Sequence, residues 1–138
     1  FAKTMLRLAK ERDTLNVIDD QIGAPTGADL IADVTAHALR QWQQQPQTAG
    51  LYHLAASGET SWHQYASVII QWAQKAGIPL AVETVKPIPS EDYPVQAERP
   101  KNSRLDCRAL ETTFGLQLPQ WQQGVERMLQ EIMNKEAL

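Results

Sequence analysis

The sequence is short of cysteine, of charge of one sign and of long apolar runs, and each shortage removes a class of function. Its single cysteine, Cys107, excludes an internal disulfide framework and suits a reducing cytoplasm. As a lone free thiol it is expected to be a small buried filler. No apolar stretch approaches the roughly 20 residues that cross a bilayer, so no membrane association is expected. The first residues lack the charged, apolar and small-residue regions of a signal peptide. Lys and Arg number 13 against 16 Asp and Glu, and they are scattered rather than striped. That balance leaves no electrostatic footprint for nucleic acid.

Familiar chemical signatures are missing as well. There is no Gly-rich dinucleotide fingerprint, no phosphate-binding loop with Gly-Lys-Ser/Thr, and no Cys or His pair at zinc spacing. No serine stands in a nucleophile elbow. His37, His53 and His63 are isolated in separate elements and are expected to be packed or surface histidines. Trp42, Trp62, Trp72 and Trp121 fall on helical faces, where core packing is the expectation. These residues alone carry no catalytic machinery.

What is present is an ordinary globular composition, 43% hydrophobic and 21% charged over 138 residues, enough for one domain with a genuine core. Helix and strand patterns alternate. Phe1 to Arg12 is apolar at helical spacing, and Leu15 to Ile18 makes a short strand. A long amphipathic helix opens near Ala28 and runs to about Gln44. Leu51 to Ala55 reads as a strand, and Thr60 or Ser61 can cap a helix that Gly77 and Pro79 end. Leu80 to Val85 reads as another strand. Pro87, Pro89, Pro94 and Pro100 make Lys86 to Asn102 an extended, ligand-facing loop. Asp106 opens a short helix to Phe114, and Pro119 begins the last one. The expectation is a helix-rich α/β chain with a few short strands.

Two polar clusters stand out. The run Asp19-Asp20-Gln21-Ile22-Gly23-Ala24-Pro25-Thr26-Gly27 lies where a strand gives way to a helix. In open α/β proteins polar ligands dock at that place, although a plain strand-to-helix connection would look similar. The second cluster is Arg99-Pro100-Lys101-Asn102-Ser103-Arg104-Leu105-Asp106. Pro100 keeps Arg99 extended, and a guanidinium held this way could grip a phosphate through two hydrogen bonds. Equally, this is a charged loop whose Asp106 caps the next helix.

These motifs, taken in order, resemble a known family. Asp19-Asp20-Gln21-x-Gly23-x-Pro25-Thr26 and the following helix are similar to the dTDP-4-dehydrorhamnose reductases, of the extended short-chain dehydrogenase/reductase superfamily. The likeness continues through Gly50-Leu51-Tyr52-His53-Leu54, the Trp62 to Gly77 helix, Tyr93-Pro94 and Arg99-Pro100-x-Asn102-Ser103-Arg104-Leu105. It closes on Leu118-Pro119-x-Trp121 and Met128-Leu129, so effectively the whole chain is covered.

The resemblance implies an oxidoreductase. Such enzymes reduce the 4-keto group of dTDP-4-dehydro-6-deoxy-L-mannose with NADPH or NADH to give dTDP-L-rhamnose, a sugar for surface polysaccharides such as O antigen. In the family a Rossmann domain carries the Gly-rich turn and a Thr-Tyr-Lys catalytic set. None of those residues occurs here, and Phe1 stands where a helix is already under way. Residues 1–138 are therefore expected to be the C-terminal, sugar-nucleotide-binding portion of the NAD(P)-binding Rossmann-like fold, inactive alone. Cofactor and catalytic residues would lie in an N-terminal half outside this chain. Gln21, Pro25 and Thr26 would line one wall of the substrate pocket, with Arg99, Asn102, Ser103 and Arg104 near the diphosphate or the base.

The same resemblance implies a homodimer in the cytoplasm. It also points to Mg2+ held by Asp29 and Glu131, although Asp29 is shorter than the Glu expected at its position. Exposed helix acids are the alternative for that pair. Two alternatives stand for the function: a non-catalytic regulatory subunit of the same fold, or a nucleotide-sugar reductase or epimerase acting on another sugar. Without its other half the chain would expose Phe1, Met5 and Leu8, inviting self-association.

Overall fold

In a computed structural model, residues 1–93 and 99–136 are described, side chains through 134. Pro94 and the rest of the segment 94–98, expected to belong to the proline-rich loop, lie outside the described residues. The chain begins with α1 (Ala2–Glu11), β1 (Thr14–Ile18), a two-residue β2 (Ile22–Gly23) and α2 (Ala28–Gln44). After a 3-10 turn come β3 (Thr60–Ser61), α3 (Trp62–Lys75), β4 (Thr84–Ile88), α4 (Arg108–Phe114) and α5 (Trp121–Glu136). β1 and β4 pair in parallel, from Thr14 opposite Thr84 to Ile18 opposite Ile88. β2 pairs antiparallel with β3, placing Ile22 opposite Ser61.

Helix α3 organises the core because apolar side chains project from more than one of its faces. Tyr65, Ile69 and Ala73 meet Ala2 and Leu6 of α1 and Trp121, Val125 and Leu129 of α5. Its neighbouring face, with Ala66 and Ile70, packs on Ala9, Leu15, Val17 and Val82. Ile69 and Leu129 are fully buried. A separate cluster seats Val34 of α2 on Leu110, Phe114 and Leu118. Met5 and Leu8 are half-buried against these cores. Phe1 is still 44% exposed, although its ring lies 4.7 Å from Trp62 and 5.0 Å from Tyr65.

Several expectations need correction. Leu51 to Ala55 keeps a strand's alternating burial but joins no ladder among the described residues. Side chains take the partners' part: Ala55 N–H donates to Cys107 Sγ and Ala56 N–H to Thr26 Oγ1. The strand expected at Leu80 to Val85 starts at Thr84 instead. Its first amides are spent on the end of α1 and the turn after it, with Ala81 and Val82 N–H on Ala9 O and Glu83 and Thr84 N–H on Asp13 O. Pro87 is admitted because a strand in a two-stranded sheet always has a free edge.

Helix α4 begins at Arg108 rather than Asp106, whose carboxylate takes the Arg108 N–H and guanidinium instead. The last helix likewise begins at Trp121, two residues after Pro119, whose carbonyl accepts from Ser57 N–H. Cys107 is only half-buried and serves as a hydrogen-bond acceptor, and Trp42 is 45% exposed rather than packed in the core.

Candidate functional site

The loop after β1 is held in place by its own side chains. Ser61, almost fully buried, caps α3 by accepting from Gln64 N–H at 3.0 Å and donates its hydroxyl to Asp19 Oδ1. His63, the second residue of the same helix, sets Nε2 3.0 Å from Val85 O and Nδ1 3.6 Å from Asp19 Oδ1. His37 plays a similar bridging part, with Nε2 3.2 Å from Phe114 O, while His53 is exposed. His37 and His63 thus join elements together.

Beyond Asp19 the chain meets the second polar cluster. Ile22 N–H donates to Lys101 O at 2.9 Å, and Ser103 N–H donates to Ile22 O at 2.8 Å. Two segments nearly eighty positions apart thus become neighbours. Between them and the start of α3 opens a cavity of about 390 Å³, lined by Gln21, Pro25, Trp62, Tyr65, Arg99 and Ser103 among others. Its walls combine a buried amide, two aromatic rings, a serine hydroxyl and an exposed guanidinium. Apolar surface with a few placed polar groups is what an organic ligand carrying an anionic group requires.

The cavity brings together four of the seven residues expected at the substrate site: Gln21, Pro25, Arg99 and Ser103. Thr26 lines an adjoining cavity of about 240 Å³ and is occupied structurally, donating to Ala24 O and accepting from Ala56 N–H. Arg104 lines that second cavity too, with Nη1 2.9 Å from Glu59 Oε2. Asn102 turns inward on its own loop, its Oδ1 accepting from Arg104 N–H and Nε–H at 3.1 and 2.9 Å. Ser103 borders both cavities.

Other members of the site escaped the sequence. Trp62 and Tyr65 read as helical core positions, yet both also line the cavity. The one available hint was the Thr60-Ser61 pair, which brings a polar cap against the aromatic start of α3. Asp20, Ser90 and Lys101 form a polar group behind Gln21. Ser90 Oγ lies 2.5 Å from Asp20 Oδ1, and Lys101 Nζ lies 3.0 Å from Asp20 Oδ2. The Ser90 hydroxyl, followed by the Lys101 ammonium, holds the Asp20 carboxyl below the usual carboxylate range, and Asp20 raises Lys101 in return. Burial pushes the Tyr65 phenol up, so it stays neutral at physiological pH.

The acids expected to hold Mg2+ have other company in this structure. Asp29 is ion-paired with Arg127, and the surface cleft that Asp29 shares with Glu131 also contains that guanidinium. Among the described residues no three His, Cys, Asp or Glu side chains gather where they could hold a metal. A hard divalent cation needs several oxygen ligands, and a cationic neighbour opposes it.

Residues 1–134 match the family model described as the RmlD substrate binding domain. The chain is 55% identical, over its whole length, to the dTDP-4-dehydrorhamnose reductase of Escherichia coli K12, of which it covers 46%. It is 57% identical over 96% of its length to the Salmonella typhimurium enzyme of the same name, covering 44% of it. Among solved structures, a Clostridium acetobutylicum dTDP-4-dehydrorhamnose reductase superposes with a TM-score of 0.83 at 29% identity, over 96% of this chain and 44% of that one. A Bacillus anthracis reductase, solved in complex with NADP, gives 0.74 at 34% identity, over 95% and 43%. The chain spans less than half the length of each of these relatives. A helix-rich α/β chain, a cavity suited to an organic anion and a family match across nearly every residue agree: this chain belongs to the RmlD substrate binding domain family.

Proposed function

We propose that this chain is the C-terminal, substrate-holding portion of a dTDP-4-dehydrorhamnose reductase, with a Rossmann domain lying in polypeptide outside it. The observation that carries this reading is the cavity at which Gln21 and Pro25 meet Arg99 and Ser103. Both segments belong to the motifs that resemble those of the reductases. The nicotinamide cofactor, NADPH or NADH, supplies the hydride for the sugar 4-keto group when bound to that other part. The present residues do the holding. Arg99 offers charge and a planar fork for the diphosphate, and Trp62 and Tyr65 offer rings for the base or the sugar. Gln21 offers an amide to a polar ligand group. Binding energy from these remote contacts orients the reacting carbonyl.

The proposal extends to dTDP-L-rhamnose as product, supplied for surface polysaccharides such as O antigen, and to a homodimer working in the cytoplasm. No described helix is long and apolar enough to cross a membrane. Mg2+ at Asp29 and Glu131 would require Asp29 to leave Arg127 and further ligands to come from outside this chain.

Arg99→Ala in the full-length protein tests the reading. A lost hydrogen bond to a charged group costs about 1.5–3 kcal/mol, so the KM for dTDP-4-dehydrorhamnose should rise by roughly tenfold or more. Cofactor affinity, measured by fluorescence titration, should stay unchanged. An unaltered KM would remove Arg99 from the site.

A further inference from the structure

Gln21 is 6% exposed and lines the cavity, so the end of its amide that faces each neighbour matters. A carboxamide has a donor end and an acceptor end of nearly equal shape, and only its partners decide between them. Trp62 Nε1–H, which can only donate, lies 3.2 Å from Gln21 Oε1. Gln21 Nε2 donates to Ser90 Oγ at 3.0 Å. That hydroxyl is committed in turn, donating to Asp20 Oδ1 at 2.5 Å, while Ser90 N–H donates to the same oxygen at 2.9 Å. Lys101 Nζ holds the other carboxylate oxygen at 3.0 Å.

From Trp62 to Asp20 the bonds run in one direction because the indole is donor-only and the carboxylate acceptor-only, and Lys101, also donor-only, meets the same carboxylate from the other side. A reversed amide would set Nε2 against the indole N–H. It would also set Oε1 against a hydroxyl whose hydrogen already belongs to Asp20. The present orientation leaves Gln21 with one amide N–H and one Oε1 lone pair to offer a ligand. The same bonds bring the cavity's second wall along, since Lys101 belongs to the segment that carries Arg99 and is tied by its carbonyl to Ile22.

We propose that Asp20 and Ser90, with Lys101 bracing Asp20, are positioning residues that fix the Gln21 amide in the substrate cavity and thereby set substrate affinity. The proposal rests on the reading that this cavity takes the nucleotide sugar. None of the three needs to touch that ligand, and Ser90 acts only through Gln21.

The test uses the full-length protein with Ser90→Ala, Ser90→Thr, Gln21→Ala and the Gln21→Ala/Ser90→Ala double variant. Steady-state kinetics with dTDP-4-dehydrorhamnose and titration with NADPH are the readouts. Ser90→Ala should raise KM about threefold to tenfold, the worth of one net hydrogen bond, with kcat and NADPH affinity within about twofold. Ser90→Thr, which keeps the hydroxyl, should recover most of the loss. The double variant should be no worse than Gln21→Ala, because removing the amide removes what Ser90 positions. Additive effects, or a loss spread equally over KM, kcat and cofactor affinity, would overturn the proposal. If Gln21→Ala and Arg99→Ala raise KM and Ser90→Ala does not, only the positioning relay fails. If all three leave KM unchanged, the substrate reading of the cavity fails and takes the relay with it.

Discussion

Ser61 shows how much one hydroxyl can do when its two partners lie on different elements. It caps α3 through Gln64 N–H and reaches back to Asp19 at the end of β1, and it is only 1% exposed. The helix start and the loop that carries Gln21 are thus fastened at one atom. Ser61→Ala should cost about 1–2 kcal/mol, the upper half of the range for a lost N-cap. It should appear as a lower denaturant midpoint at constant slope. Ser61→Asp makes a sharper comparison. Asp is normally as good a cap as Ser, but here it would set one carboxylate against another at Asp19. Ser61→Asp should therefore be at least as destabilising as Ser61→Ala, and a variant as stable as the parent would show that the Asp19 contact carries no weight. Residue chemistry of this sort was only half legible. The capping Ser61 could be read beside its helix, whereas its second partner lay 42 positions away.

At the scale of elements, helix ends were easier to read than strands. The stop at Gly77 is a local matter: its φ is +76°, and Gly77 and Ile78 N–H close on Gln74 O and Ala73 O. Gly58 takes a similar φ of +84°, but a methyl group there would also meet Gln120 Oε1 at 2.7 Å and Trp121 Cδ1 at 3.2 Å. A methyl group added at Gly77 would meet nothing beyond its chain neighbours within 4 Å. Gly77→Ala should therefore cost about 1–2 kcal/mol, the conformational penalty alone. Gly58→Ala should cost more, because the buried Trp121 has little room to give. Thermal midpoints of the two variants measure the difference, and equal shifts would deny the contact any effect. Strands were less legible for the corresponding reason. Leu51 to Ala55 has the alternation of a strand, but a strand exists only through a partner, and Cys107, just ahead of α4, and Thr26 supply side chains instead. β4 starts four residues later than expected because Ala9 and Asp13 carbonyls claimed the amides ahead of it.

For the molecule as a whole, the three core clusters explain why a chain under half the length of its relatives can still hold a cavity. α3 buries its side chains on α1, α5 and the β1 strand, and the walls of the cavity rise from that frame. Cofactor binding is another matter, since no Gly-rich dinucleotide turn occurs in these 138 residues. The isolated chain is therefore expected to show no reduction of dTDP-4-dehydrorhamnose when NADPH is supplied. Following NADPH absorbance at high protein concentration checks this, and a rate comparable to the full-length enzyme would contradict it.

The linear sequence determined what depends on neighbours along the chain. It carried the periodicity of the helices, the caps and glycine stops at their ends, the polar run after β1, and the ordered motifs that identify the family. The tertiary structure decided what depends on partners far away in the chain. It brought Arg99 and Ser103 to Gln21 and Pro25, turned Asn102 onto the backbone and side chain of Arg104, paired Arg104 with Glu59, and paired Asp29 with Arg127. The physical reason is range. Backbone propensity and capping act over a few residues, whereas a binding cavity is an arrangement of side chains whose separation along the chain says nothing of their separation in space.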